Sequence, residues 1–448
     1  MNLLQRVLGD PDNYRFDVDT LGPCLVESPV RNRMFRDANE RCALTHDAQT
    51  LARIAGAGGR PPSFEKAGPH GKIFHDPAWS RAAILTAGGL CPGLNHVIKG
   101  LVEILANEYG VRTIHGIRYG YRGLASRHGW APMPLDADIV DTIHERGGTI
   151  LGSSRGEQPV AEMVETLTRM NINLLFCIGG DGTLHGARAI AEECLRRKLA
   201  ISVVGIPKTV DNDLHFVGNS FGFATAVNET SAIVQSAHME AKGAVNGIGI
   251  VKLMGRDSGF IAASAALANP VVNFCLIPEC PFTLDGPGGL LAALEMRLAA
   301  GKDHVVIVAA EGAGQDLIAA EPERRDASGN VLKKDIGEFL RRAIPAYFAT
   351  RKIEVTIKYF DPSYSIRSVP AKGTDAIHCY LLARNAVHAA MAGRTNCVVG
   401  NLHGADYTLV PIALAAMERQ KVDLDGDLWK AVLDATGQDR TMGTDVGA

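Results

Sequence analysis

From Ala82 onward, short apolar runs alternate with stretches whose apolar residues recur at helical spacing, and this alternation limits the fold more than any other feature. The runs are Ala83-Ile84-Leu85, Leu174 to Ile178, Ile201 to Ile206, Ile248 to Leu253, Val272 to Ile277 and Val305 to Ala309. Between them lie segments such as Gly186 to Arg197, whose apolar positions return once per helical turn. Uninterrupted runs of this length suit strands buried on both faces, so the pattern predicts an α/β fold with parallel sheets covered by helices. At 448 residues the chain is too long for one ordinary core, which predicts two lobes. Residues 1–80 break the pattern with Pro11, Pro23, Pro29, Pro61, Pro62 and Pro69 and the glycines at 56, 58 and 59, and read as an N-terminal extension.

Composition narrows the partners. Charged residues make up 21% and the formal net charge is −3, so neither disorder nor a nucleic-acid partner is indicated, and any phosphate must be met by local cations. The nine cysteines are scattered with no CxxC pair, which fits buried thiols in a reducing cytoplasm. The N-terminus shows no basic segment followed by an apolar run, and no apolar stretch approaches a membrane span, so neither secretion nor membrane insertion is expected.

Nearly every run ends in Gly or a charged residue, and in open α/β sheets ligands bind beyond the carboxyl ends of strands. The first run leads into Gly88-Gly89-Leu90-Cys91-Pro92-Gly93-Leu94-Asn95, where Leu94-Asn95 replaces the Lys-Ser/Thr of a Walker phosphate loop. The paired glycines still expose backbone N–H groups to an anion, or simply make a tight turn. Gly179-Gly180-Asp181-Gly182-Thr183 lets a phosphate chain approach the backbone, with Asp181 placed either to hold Mg²⁺ or to cap a helix; lipid and NAD kinases carry the same string. Lys208-Thr209-Val210-Asp211-Asn212-Asp213 sets two carboxylates two residues apart, facing one way if the segment is extended. One can accept a hydroxyl proton while the other holds a metal, unless the pair is only a solvated acidic turn. Gly152-Ser153-Ser154-Arg155-Gly156 and the stretch Lys358 to Arg367 add arginines and Tyr364, suited to phosphate or to ordinary surface.

Taken in order, Leu85 to Asn95, the GGDGT, the PKTVDND, Met254 to Phe260 and Tyr364-Ser365-Ile366-Arg367 resemble the phosphofructokinase family over about residues 65 to 415, and in particular its long ATP-dependent branch in plants and trypanosomatids. The resemblance implies two Rossmann-like lobes with mainly parallel sheets and the active site in the cleft between them. An ATP-binding lobe would take residues 81–222 and 366–430, and a sugar-phosphate lobe 223–365 and 431–448. It further implies transfer of the γ-phosphoryl of Mg·ATP to the 1-hydroxyl of fructose 6-phosphate, in a cytoplasmic homo-oligomer, dimer or tetramer. Gly89, Arg155, Gly156, Gly180, Asp181, Gly182 and Thr183 would hold ATP, with Asp181 and Asp213 at the metal. Asp211 would be the general base, with Thr209 and Arg256 as further catalytic groups. Thr209, Val210, Asp211, Met254, Gly255, Arg256, Glu311, Lys358, Tyr364 and Arg367 would contact the sugar phosphate.

Two positions bear on the donor. Pyrophosphate-using relatives carry an Asp at the position of Gly182 and a Lys at that of Lys208, whereas the short bacterial ATP enzymes carry Gly at both. This chain is mixed, as the long ATP branch is. A carboxylate at 182 would intrude on the α-phosphate, so Gly182 favours ATP over the pyrophosphate alternative. Gly247 stands where the short enzymes place a phosphate-binding Arg, and Tyr364 where they place a His. A non-catalytic sugar-phosphate sensor on the same fold is the remaining alternative, though it predicts loss of Asp181 or Asp211, and both are present.

Overall fold

The computed structural model describes residues 3–444 apart from 32, 33, 38, 320–324, 326–330 and 405. Met1, Asn2 and 445–448, which belong to the terminal segments assigned above, lie outside the described residues. The chain forms two compact units: Met1–Thr209 with Leu214–Gly222 and Ser368–Glu418, and Val210–Asp213 with Phe223–Arg367 and Arg419–Ala448.

The first unit is built on a nine-stranded sheet. Its order is Arg41–Ala43, Ser63–Lys66, Asp406–Pro411, Cys397–Leu402, Ser202–Pro207, Leu174–Gly179, Arg81–Thr86, Thr113–Ile117 and Met133–Pro134. The five strands from Cys397–Leu402 to Thr113–Ile117 are parallel, and the flanking ones run antiparallel. Every residue of Leu174–Gly179 and Ser202–Pro207 is buried, as the uninterrupted apolar runs require. Ala83, Leu85, Leu175, Cys177 and Val203 share a core with the helices Val160–Arg169 and Asp181–Arg196. Leu94–Glu103 and Gly373–Met391 pack on each other, and the latter also lies against the central strands.

Residues before 80 contribute to this same unit. Leu3 and Val7 of the helix Leu3–Gly9 are fully buried in its core, and two short strands extend its sheet by antiparallel pairing.

The second unit has a four-stranded, wholly parallel sheet in the order Phe274–Leu276, His304–Ala310, Gly247–Leu253, Thr356–Phe360. Alternate residues serve opposite faces. Val251, Leu253, Val306 and Val308 pack with the helices Phe223–Lys242, Phe260–Ala268 and Asp427–Thr436, whereas Ile248, Ile250, Val305 and Ile307 pack with Leu290–Ala299 and Ile336–Thr350. No helix of the described residues is long and apolar enough to cross a membrane.

Candidate active site

In the first unit three neighbouring parallel strands end level, with Thr86 paired to Ile178 and Pro207 to Gly179, so their tails emerge side by side. Hydrogen bonds then lace the tails together. Lys208 N donates to Gly179 O at 3.0 Å, and the Lys208 ammonium reaches across to Gly89 O at 2.8 Å. Gly88 N donates to Ser154 O at 3.1 Å while Ser153 Oγ donates to Gly88 O at 2.5 Å. The four motifs Gly88-Gly89, Gly152 to Gly156, Gly179 to Thr183 and Lys208 therefore form one constellation, with exposed Arg155 at its edge.

Local geometry explains the glycines. Gly88 has φ +86, and Gly156 has φ +96, both in the left-handed region that glycine occupies without strain. A Cβ on Gly179 would lie 2.1 Å from Thr183 Oγ1, so that turn closes only without a side chain. Thr183 itself is buried and folded back on this turn, and its carbonyl accepts from Tyr121 OH at 2.5 Å. Gly182 differs, because nothing lies within 4 Å of where its Cβ would stand. Asp181 opens the helix Asp181–Arg196, is partly exposed, and has His185 Nδ1 3.2 Å from its carboxylate. Asn95, which replaces the Walker hydroxyl, is buried. It donates to Arg146 O and accepts from Ile150 N, at 3.1 and 2.9 Å, thereby bracing the segment before Gly152.

In the second unit the tails of Gly247–Leu253 and His304–Ala310 lie together, with Glu311 N donating to Leu253 O and Gly312 N to Gly255 O at 2.9 and 3.0 Å. Gly255, at φ +125, brings its Cα so near Ser258 O that a Cβ would stand 2.5 Å from it. Burial pushes the Glu311 carboxyl above the usual carboxylate range, against the pull of Arg256, Lys252 and Arg367. Glu311, Arg256 and Arg367 are thus brought together. Tyr364 is 77% exposed with the Arg367 guanidinium 4.8 Å from its ring centre. Met254 is buried, and its side chain belongs to the apolar core.

Two expectations need correction. The Asp211-Asn212-Asp213 segment is not extended: Val210 and Asp211 form a turn and Asn212 has φ +53, so the two carboxylates do not share a face by strand alternation. Asp211 O accepts from Ser258 Oγ at 3.3 Å, while Asp213 is buried with Arg419 Nη1 3.8 Å from its carboxylate and Gln420 N donating to its carbonyl at 2.7 Å. Val210, half-buried, anchors this turn in the core. Thr209, in the first unit, accepts from Ser220 Oγ on its carbonyl at 2.5 Å. Lys358 stands in mid-strand beside Gly249 and pairs with Glu240 at 3.0 Å, away from the strand tails that carry Arg256 and Glu311.

Sequence reasoning missed a set of supporting charges. Lys252 joins Asp361 and Asp335 at 2.7 and 2.9 Å; burial opposes its charge, but the two carboxylates outweigh that and hold the ammonium above its usual range. Asp361 opens the turn that carries Tyr364 and Arg367, so Lys252 ties this turn to the sheet. Asp257 takes Arg419 at 2.8 Å and Lys333 at 3.0 Å. Lys252 and Asp257 flank Arg256 inside the quoted motif, a signal available in the sequence; Arg419 carries none.

Among known proteins, the family described as Phosphofructokinase matches residues 81–390. An ATP-dependent 6-phosphofructokinase of Borreliella burgdorferi is 47% identical over 96% of this chain and 98% of its own length. One from Trypanosoma cruzi is 46% identical over 84% and 77%, and ATP-dependent 6-phosphofructokinase 7 of Arabidopsis thaliana is 46% identical over 86% and 79%. Among solved structures, a pyrophosphate-dependent phosphofructokinase from Marinobacter aquaeolei superposes with a TM-score of 0.62 at 20% identity, over 80% of this chain and 91% of that one. At that identity the likeness speaks for the fold alone. The glycine turns, the carboxylates that follow them and relatives of nearly full length agree, and the chain belongs to the phosphofructokinase family.

Proposed function

We propose that this chain is an ATP-dependent 6-phosphofructokinase, transferring the γ-phosphoryl of ATP to the 1-hydroxyl of fructose 6-phosphate to give fructose 1,6-bisphosphate and ADP. The observation that carries the donor assignment is the open space at Gly182, directly after Asp181, where an α-phosphate meets no side chain. Relatives at 45–47% identity carry the ATP-dependent name.

Gly89, Arg155, Gly156 and the stretch Gly180 to Thr183 are proposed to hold the nucleotide through backbone N–H groups, one guanidinium and the start of the helix Asp181–Arg196. Phosphate-bound Mg²⁺ needs only one or two protein carboxylates, and Asp181 fits because its carboxylate is partly exposed at a helix start. When bound, Mg²⁺ would neutralise charge on the phosphates. Asp213, proposed as its second carboxylate, already shares its charge with Arg419. Asp211 would take the proton of the 1-hydroxyl, with Thr209 and Arg256 positioning and neutralising the transferring group. Val210, Met254 and Gly255 would shape the sugar's surroundings through their backbone, Glu311 would accept its hydroxyls, and Lys358, Tyr364 and Arg367 would meet its 6-phosphate. We further propose cytoplasmic residence, in keeping with nine free thiols, and a homo-oligomer, dimer or tetramer.

The test is a coupled assay offering ATP or pyrophosphate with fructose 6-phosphate. Turnover with ATP at least tenfold above that with pyrophosphate is expected. Preference for pyrophosphate would turn the assignment to the second reading, which the Lys208 ammonium at the Gly88-Gly89 turn favours.

A further inference from the structure

Apart from the strand tails, the first unit contains a cavity of about 550 Å³ whose walls include Phe35, Arg36, Leu381, Arg384, Asn385 and Tyr407. That volume is of the size that small-molecule sites have, and the lining has their character, an apolar body with a few placed polar groups. Two guanidiniums line it. Arg36 is ion-paired with Glu40 at 2.9 Å, whereas no described residue gives Arg384 a hydrogen bond or an ion pair. A half-buried guanidinium facing a cavity with no carboxylate of its own is costly to keep unless an anion meets it. Asn385, 3% exposed, adds a polar side chain to the same wall.

The cavity is also wired to the proposed catalytic segment. Tyr407 OH lies 2.7 Å from His378 Nδ1, and His378 Nε2 lies 2.7 Å from Asn219 O. A carbonyl only accepts, so His378 carries its proton on Nε2 and takes the Tyr407 hydroxyl proton on Nδ1. The next residue, Ser220, donates to Thr209 O at 2.5 Å. Three side chains thus lead from the cavity wall to the carbonyl immediately before the Val210-Asp211 turn.

We propose that this cavity is a second anion site, taking a phosphorylated small molecule with an apolar body, and that its occupancy is transmitted to Thr209 through Tyr407, His378 and Ser220. The transmission rests on the proposed function, because Thr209 and Asp211 are its endpoint; the binding does not. A bound ligand alters turnover only by binding two arrangements of the relay unequally, which makes the relay hydroxyl the group to remove.

The probe is phenyl phosphate, titrated calorimetrically into the full chain. Arg384→Ala should weaken its binding by about tenfold or more, the effect of losing a charge-assisted contact, and Arg36→Ala should act in the same direction. Arg155→Ala, which alters the nucleotide constellation, should leave this isotherm in place. No binding to wild type at millimolar probe, equal binding by Arg384→Ala and wild type, or a loss shared by Arg155→Ala would overturn the site. In steady-state assays phenyl phosphate should shift the KM for fructose 6-phosphate in wild type, and Tyr407→Phe should bind the probe yet show no shift. A shift that survives in Tyr407→Phe refutes the relay. A chain inactive with ATP and with pyrophosphate would defeat the function while the binding result still judges the site.

Discussion

Replacing Gly182 by Asp should separate folding from donor use. Gly182 is the second residue of the helix Asp181–Arg196, its φ is not left-handed, and a Cβ there meets nothing within 4 Å, so the substitution is sterically free. A carboxylate in the first helical turn is favourable by about 0.3–1 kcal/mol, and loss of a helical glycine adds a few tenths, so Tm should hold or rise. ATP use should suffer. Two like charges about 4.5 Å apart at an effective dielectric of about 20 repel by about 4 kcal/mol, and the new carboxylate would face both Asp181 and the α-phosphate. Even if relaxation removes half of that, kcat/KM for ATP should fall by about 10²-fold or more. Gly182→Ala, which occupies the space without the charge, should lose less than about tenfold, and pyrophosphate should be spared in both variants. Thermal unfolding and kcat/KM for both donors on the two variants supply the measurement. An Asp variant that keeps ATP kcat/KM within tenfold of wild type at unchanged Tm refutes the reasoning, and equal losses in the Ala and Asp variants would show the effect to be steric.

The strands legible in the sequence were those whose neighbours bury both faces. Leu174–Gly179 and Ser202–Pro207 lie mid-sheet and carry no polar side chain to interrupt the run except Ser202, which is itself hydrogen-bonded inward to Ala390 O. Thr113–Ile117 contains Thr and His, Thr356–Phe360 is half-buried throughout, and Arg41–Ala43 has three residues, one of them exposed. Such edge positions tolerate polar side chains, so periodicity weakens there. At the candidate site the glycine turns and the carboxylates after them could be read locally, because a tight turn or a strand end leaves its mark within a few residues. The ties Lys252–Asp335, Lys252–Asp361 and Arg419–Asp257 join residues about a hundred positions apart and leave no local trace. The turn at Asp211 escaped for another reason: Asn212 adopts the left-handed conformation, which Asn permits but does not announce.

Asp211→Ser should leave substrate binding within about tenfold while lowering kcat by about 10² or more, as loss of a general base does; near-normal kcat would remove Asp211 from that role. Arg367→Ala should mainly raise the KM for fructose 6-phosphate, and a rise confined to the KM for ATP would assign Arg367 to the nucleotide. Gly93→Ala puts a Cβ 2.5 Å from Cys379 Sγ at φ +105, so it should destabilise by about 2–3 kcal/mol, read as a lower Tm; an unchanged Tm would show the loop to be loosely packed. The last expectation concerns acid. His75, donating from Nε2 to Ser202 Oγ at 3.1 Å, and His388 are buried, and burial lowers their pKa values to about 4 and about 3. Below the unfolded value of about 6.5 the unfolded chain binds protons that the folded chain refuses, so stability rises with pH in this window and falls on acidification. Above pH 6.5 both states are neutral at these sites and the slope vanishes. Each histidine therefore costs about 1.4 kcal/mol per pH unit of acidification, or about 2 kcal/mol by pH 5. Urea midpoints at pH 7.5 and 5.0 should show a fall in wild type that is smaller by about 2 kcal/mol in His75→Gln, which keeps a donor toward Ser202 but cannot titrate. If the variant lost as much stability as wild type over that interval, His75 would not be the neutral buried group that its surroundings require.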